Sequence, residues 1–213
     1  MNISNALLPS LAVTVNRLVG TFDEITPSRK VLLKKLSVYI QQKVDAKEEV
    51  FLNFICTHNS RRSHISQLWA QTAAHYYGIN DVTCFSGGTE ATAFNPRAVK
   101  AMQDAGFEIQ QVKEGVNPVY DVRYADDGTV IHAFSKKYDD PMNPSQHFAA
   151  IMTCSHADEN CPVIRGADDR IVIDYTDPKA SDETPDESQA YGESVYLIGR
   201  EMLYVFAGVA SKR

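Results

Sequence analysis

The 213-residue chain lacks any excess of basic charge: 21 Lys and Arg face 27 Asp and Glu, a formal net charge of −6. That balance disfavours a nucleic-acid surface and leaves room only for a local anion pocket. Long apolar runs are missing too. No uninterrupted stretch reaches the length that spans a bilayer, so no membrane partner is expected. The opening MNISNALLPSLAVTVNRLVG has no basic leader and contains Pro9, Asn16 and Arg17. It fits a signal peptide poorly, and the expectation is a cytoplasmic chain. Cysteine is sparse, at positions 56, 84, 154 and 161. In a cytoplasmic chain of this size such residues serve as thiols or redox groups rather than structural crosslinks. There is no internal repeat. The one biased stretch, KASDETPDES at 179–188, reads as an acidic loop. What is present is 44% hydrophobic, enough for a sizeable core, in a length that suits one domain with an embellishment or two small ones.

Residues 5–20 align Leu7, Leu8, Leu11, Val15, Leu18 and Val19 on one helical stripe. A second helix opens at Thr26-Pro27, with Thr26 as N-cap, and carries Leu32, Leu33, Leu36, Tyr39 and Ile40. From Glu48 the character changes. Apolar runs at 50–55, 81–86, 148–153 and 170–175 predict strands. Helical patterns occupy 62–78, 95–105 and 186–208, and Gly87-Gly88 reads as a turn. Residues 119–124 and 129–135 flank Asp127-Gly128 as a hairpin. Strand–helix alternation predicts an α/β domain with a parallel sheet.

Residues 54–66, FICTHNSRRSHIS, end a buried strand in Cys56 and open a helix at Arg62. In an open α/β sheet, ligands gather beyond the carboxyl ends of the strands. A loop entering a helix turns backbone N–H groups toward an anion at the positive end of the helix dipole, which also favours a thiolate. Arg62 adds a planar fork matched to two oxygens of a tetrahedral oxyanion. Ser63 suits donation to the thiolate, and Asn59 suits pinning the loop. A nucleophile, an anion cradle over residues 57–63 and a fixed cation thus converge within eight residues. The alternative for Cys56 alone is a buried structural cysteine.

The string C-T-H-N-S-R-R-S resembles the phosphate-binding loop of the low-molecular-weight protein tyrosine phosphatase family. FSGGTEATAFNPRAVKAMQDAGF resembles the same family downstream. The resemblance covers residues 50–210, with an insertion around 117–145. It implies a three-layer α/β/α domain on a four-stranded parallel sheet at 49–213; the helical extension at 1–48 lies outside it. It implies Cys56 as nucleophile and Arg62 as anion clamp. Thr57, His58, Asn59, Ser60, Arg61 and Ser63 complete the oxyanion loop.

Residues 154–162 read CSHADENCP. By spacing alone they are two core thiols, a zinc clip with His156 whose gap is long for zinc, or a thiol relay. The segment resembles the C-S-x-A-D-x-x-C-P signature of thioredoxin-coupled arsenate reductases, a branch of the same fold. That resemblance implies that Cys56 attacks arsenate, Cys154 attacks Cys56 to release arsenite, and Cys161 attacks Cys154. A Cys154–Cys161 disulfide then awaits thioredoxin, with no bound cofactor or metal. A helix over 154–161 would hold the two Cα atoms roughly 10 Å apart, seven steps of about 1.5 Å. A disulfide tolerates about 7 Å at most, so the relay requires a mobile segment here.

A proton donor for the leaving oxygen is also needed. Asp177-Pro178 follows a strand and returns to its carboxyl edge. Asp140-Pro141 precedes a strand and is expected at the opposite edge. The family's acid also precedes proline, so Asp177 is assigned, with Asp174 as second choice. Several positions depart from the family. His58 stands where glycine is usual, and Arg61 replaces a second cysteine. Gln67 replaces an acidic residue of a potassium site, and Lys179-Ala180 lacks the aromatic wall of the phosphatase branch. The expected partner is an arsenate or phosphate oxyanion, with thioredoxin for a reductase. Two alternatives remain. One is a phosphotyrosine-protein phosphatase or phosphomonoesterase working through a Cys56 phosphocysteine. The other is a non-enzymatic, redox-controlled binder of oxyanions or phosphoproteins.

Overall fold

The computed structural model describes residues 6–126, 129–160 and 163–210. The expected hairpin turn at Asp127-Gly128 and the expected redox residue Cys161 lie outside the described residues. Four parallel strands form the central sheet, in the order β2-β1-β6-β7: β1 Val50–Cys56, β2 Val82–Gly88, β6 Phe148–Met152 and β7 Ala167–Val172. Helices flank it: α3 Arg62–Tyr76, α4 Pro96–Asp104, α5 Ser155–Asn160 and α6 Glu187–Ala210. A separate three-stranded antiparallel sheet joins β3 Glu108–Lys113, β4 Val119–Arg123 and β5 Ile131–Ala133.

The strand period of two sorts β1 between two cores. Leu52 and Phe54 face a large cluster that includes Leu68 and Trp69 of α3 and Ile198, Met202 and Phe206 of α6. Phe51 and Ile55 pack in a smaller cluster with Met152, Cys154, Ala157 and Ile164, and Cys56, the last residue of the strand, joins them out of alternation. Two further helices, α1 Pro9–Val19 and α2 Pro27–Ala46, bury Leu11, Val15, Leu33, Leu36 and Ile40 in the large cluster. The Thr26 hydroxyl accepts the Arg29 N–H at 3.3 Å, and the Asn95 side chain accepts the Arg97 N–H at 2.9 Å, as the capping pattern predicts. α2 is bound to α6 by polar contacts as well. Arg29 donates to both Glu201 carboxylate oxygens at 2.8 and 2.9 Å, and the Ser37 hydroxyl donates to the Val205 carbonyl at 3.0 Å. No helix among the described residues is long and apolar enough to cross a membrane.

Several boundaries differ from expectation. α1 begins at Pro9 rather than residue 5, because the Leu8 N–H donates to the Tyr124 carbonyl and Leu7 bridges Ala125. Gly87-Gly88 is not a turn. Both residues continue β2, opposite Ile55 and Cys56. A Cβ on Gly88 would lie 2.6 Å from the Asn59 nitrogen and 2.7 Å from the Thr57 oxygen. Glycine therefore serves close approach to the neighbouring loop. β7 runs three residues earlier than read. Its hydrogen bonds nevertheless extend past the strand, from the Ile173 N–H to the Met152 oxygen and from the Tyr175 N–H to the Thr153 oxygen. β3 was not anticipated: EIQQVK is polar and almost wholly exposed, so it carries no apolar alternation to read.

Candidate active site

β1 delivers Cys56 at its carboxyl end, and α3 begins six residues later at Arg62. The loop between them is bound from outside through its carbonyls. The Thr57 oxygen accepts the Glu90 N–H at 2.8 Å and the Thr89 hydroxyl at 3.1 Å. The His58 oxygen accepts the hydroxyls of Ser135 at 2.9 Å and Thr92 at 3.1 Å. The Ser60 oxygen accepts the Asn95 N–H at 2.9 Å. A trans peptide points its N–H away from its carbonyl, so outward-bound carbonyls turn the following N–H groups toward the loop interior.

Cys56 is buried at 3% exposure, with its Sγ 3.1 Å from the Ser63 hydroxyl. The Asn59 amide donates to that same hydroxyl oxygen at 2.9 Å. Ser63 therefore receives from Asn59 and has its own proton to donate to the sulfur. Asn59 adopts φ 44° and is fully buried. Its side-chain oxygen accepts the Lys136 backbone N–H at 2.8 Å, so the segment after β5 fixes the hydrogen-bond chain that runs through Ser63 to Cys56. The Lys136 side chain is buried beside the Phe134 ring, and burial pushes its pKa down to about 8, with Asp140 acting the other way. His64 lies beneath the loop, stacked on Phe94 at 4.2 Å. Burial, and then the Lys136 charge, hold it well below the usual histidine range, so it is neutral.

Arg62 reaches across to the segment after β7. Its guanidinium donates to the Tyr175 carbonyl at 3.0 Å and to Asp177 Oδ2 at 2.6 Å. The other Asp177 oxygen accepts the Lys179 N–H at 3.1 Å, capping the short helical turn Pro178–Ser181. Asp140 is not at the opposite edge of the sheet. Lys137 bridges Gly88 and the Asn143 amide donates to the Ser86 oxygen, so the turn runs beside the carboxyl half of β2. Its carboxylate accepts the Met142 N–H at 3.0 Å and contacts neither Arg62 nor Cys56 among the described residues. Asp174 is exposed and pairs with Arg29 at 3.7 Å. The His58 ring is about half exposed, with Nε2 3.7 Å from Glu90.

Cys154 lies two residues past the end of β6 and is buried at 1% exposure. Its sulfur lies 3.5 Å from the Thr57 hydroxyl and accepts the Ala157 N–H at 3.4 Å. The structure thus brings Cys56, Arg62, Asp177 and Cys154 to one end of the sheet. Cys84 stays apart, buried in the large core, where burial alone pushes its thiol far up.

A sequence model of the low molecular weight phosphotyrosine protein phosphatase family matches residues 51–126. An arsenate reductase of Brevibacillus brevis is 31% identical over 133 residues, which span 62% of this chain and 79% of that protein. The chain belongs to the low-molecular-weight phosphatase family, in its arsenate reductase branch. An arsenate reductase of Halalkalibacterium halodurans is 27% identical over 137 residues, 64% of this chain and 80% of that protein. Among solved structures, a protein tyrosine phosphatase from Entamoeba histolytica aligns over 77% of this chain and 99% of its own, with TM-score 0.51 at 10% identity. A low-molecular-weight phosphatase from Vibrio cholerae aligns over 74% and 94%, with TM-score 0.50 at 13% identity. Both share the fold. Within this family frame, sequence reasoning missed the outer pins Ser135 and Lys136. They come from the segment after β5, and nothing in their local sequence points to Asn59 or His58.

Proposed function

We propose that this chain reduces arsenate to arsenite with Cys56, Cys154 and Cys161, on an oxyanion loop formed by residues 57–63. The supporting observation is the second thiol. Cys154 lies against Thr57 at 3.5 Å, inside the same buried cluster as Cys56. A phosphatase needs no thiol there.

The steps balance as follows. The Cys56 thiolate attacks arsenate held by the loop and Arg62, forming an S–As bond. An As–O bond breaks, and that oxygen leaves as water with a proton from Asp177. The Cys154 thiolate attacks the Cys56 sulfur. The S–As electron pair passes to arsenic, As(V) becomes As(III), arsenite departs, and a Cys56–Cys154 disulfide forms. The Cys161 thiolate then attacks Cys154, frees Cys56 as thiolate and leaves a Cys154–Cys161 disulfide. Thioredoxin supplies two electrons to restore the dithiol. In this reading residues 49–213 form the catalytic domain and 1–48 an extension on α6, and the reducing cytoplasm is the matching compartment.

Cys56, Arg62 and Asp177 are also sufficient for phosphomonoester hydrolysis through a phosphocysteine, and that reading is the alternative. A pure binder needs neither the nucleophile nor the acid. Arsenate-dependent NADPH oxidation with thioredoxin and thioredoxin reductase separates the enzymes, run beside aryl phosphate hydrolysis on wild type and Cys154→Ser. A reductase loses the first activity in the variant. Hydrolysis with no arsenate-dependent oxidation in wild type would favour the phosphatase.

A further inference from the structure

Arg61 is the other arginine of the loop, and it does not face the loop interior. Its side chain is 10% exposed and turned toward α6. Nε donates to the Tyr191 hydroxyl at 2.7 Å and Nη2 to Asp182 Oδ2 at 3.2 Å. The Tyr191 hydroxyl in turn donates to Asp182 Oδ1 at 2.7 Å. The three groups close a triangle, which Arg97 of α4 extends through Asp182 at 3.9 Å and Glu187 at 2.7 Å. Tyr191 is 1% exposed. Burial, and then the Asp182 carboxylate, push its hydroxyl up to about 12, against the pull of Arg61, so it stays a donor.

The same guanidinium lies 3.9 Å from Asp177 Oδ1, while Arg62 holds Oδ2 at 2.6 Å. The acid is therefore flanked by two cations, one near each oxygen. Only one of them belongs to the oxyanion. A fork turned from Asp177 to a bound anion would give up this shorter contact. Arg61 is held separately, by Tyr191 and Asp182.

We propose that Arg61 is a positioning residue for the acid: braced by Tyr191 and Asp182, it keeps Asp177 in place after Arg62 engages the oxyanion. The inference rests on the reading of Cys56, Arg62 and Asp177 given above. In the step concerned, a Cys56 S–P bond forms, the P–O bond to the leaving group breaks, and a proton passes from the Asp177 carboxyl to the leaving oxygen. The fixed guanidinium beside it holds the carboxyl group in one place for that transfer. Arg61 acts through Asp177 and touches no reacting atom.

The test is kcat/KM on aryl phosphates of graded leaving-group basicity, with the inhibition constant of inorganic phosphate as a separate readout. General-acid assistance contributes about 10²-fold or more for a basic leaving group and little for a good one. Arg61→Met is expected to lower kcat/KM for phenyl phosphate roughly ten-fold, a partial loss of that assistance, and for 2,4-dinitrophenyl phosphate less than about three-fold. Phosphate inhibition should stay unchanged and Arg61→Lys should recover part of the loss. Tyr191→Phe, which removes only the hydroxyl, provides a milder variant with a smaller loss of the same selectivity. Equal losses for both esters, or weakened phosphate inhibition, would overturn the proposal by assigning Arg61 to the cradle. Asp177→Asn in the same series separates the two claims. If it shows no leaving-group selectivity, the acid assignment fails; if it does while both Arg61→Met and Tyr191→Phe do not, only the role of Arg61 fails.

Discussion

Removing the Arg29 guanidinium would strand a carboxylate in the interface between α2 and α6. Glu201 is 2% exposed and accepts two hydrogen bonds from Arg29, at 2.8 and 2.9 Å. The same guanidinium donates to the Asp174 carbonyl at 3.0 Å and lies over the Tyr175 ring. One side chain thus ties α2, α6 and the start of the segment that carries Asp177. Breaking a buried pair by deleting one partner costs about 3–5 kcal/mol, because the survivor keeps its desolvation cost and loses its counter-charge. Arg29→Met is therefore expected to lose about 3 kcal/mol in urea unfolding, roughly 6–12 °C in melting temperature for a chain of this length. Replacing both partners tests the mechanism. Arg29→Met with Glu201→Leu should recover about 2 kcal/mol or more of that loss, since no stranded charge remains. A single variant costing less than about 1 kcal/mol, or two costs that simply add, would refute the argument.

Three other outcomes follow from the site. Lys136 has a folded-state pKa of about 8 against 10.5 in the open chain, so between those values the unfolded chain binds more protons and stability rises with pH. Lys136→Met should remove that rise and be more stable than wild type near pH 7 by up to about 3 kcal/mol, as paired urea titrations at pH 7 and 10 would read; an undiminished rise would exclude Lys136 as its source. Asp177→Asn should depress turnover of aryl phosphates by about 10²-fold or more, and Asp140→Asn far less, because only Asp177 reaches Arg62; equal effects would refute the assignment. Oxidation of Cys154 and Cys161 to a disulfide should erase the amide-exchange protection of α5, since Ser155–Asn160 is helical with Cys154 a free thiol and a helix keeps Cα atoms seven residues apart roughly 10 Å from each other. Unchanged protection after oxidation would count against the relay.

What was legible in the sequence was local. Cys56, Arg62 and Ser63 fall within eight contiguous residues, and a strand, a loop and a helix are enough to bring them together. Asp177 was legible because it follows a strand whose hydrogen bonds run on to Tyr175. The hidden parts are tertiary. The carbonyl pins come from Thr89, Thr92 and Ser135, and the hold on Asn59 comes from a backbone N–H of the inserted segment, where side-chain identity leaves no trace. Gly87-Gly88 misled because glycine serves both turns and close approach, and only the Thr57–Asn59 loop packed on Gly88 decides between them. Arg61 likewise read as a member of the oxyanion loop; only the fold reveals Tyr191 and Asp182 beside its side chain.

The central claim is that the nucleophilic thiol is consumed and regenerated by its neighbours. A single turnover tests it most directly: fully reduced protein is mixed with arsenate in the absence of thioredoxin, quenched by alkylation, and mapped by mass spectrometry. The account predicts one arsenite released per chain, a disulfide between Cys154 and Cys161, and Cys56 alkylated as a free thiol. Arsenite released with Cys154 and Cys161 both still reduced, or no arsenite from a chain that hydrolyses aryl phosphates, would contradict it.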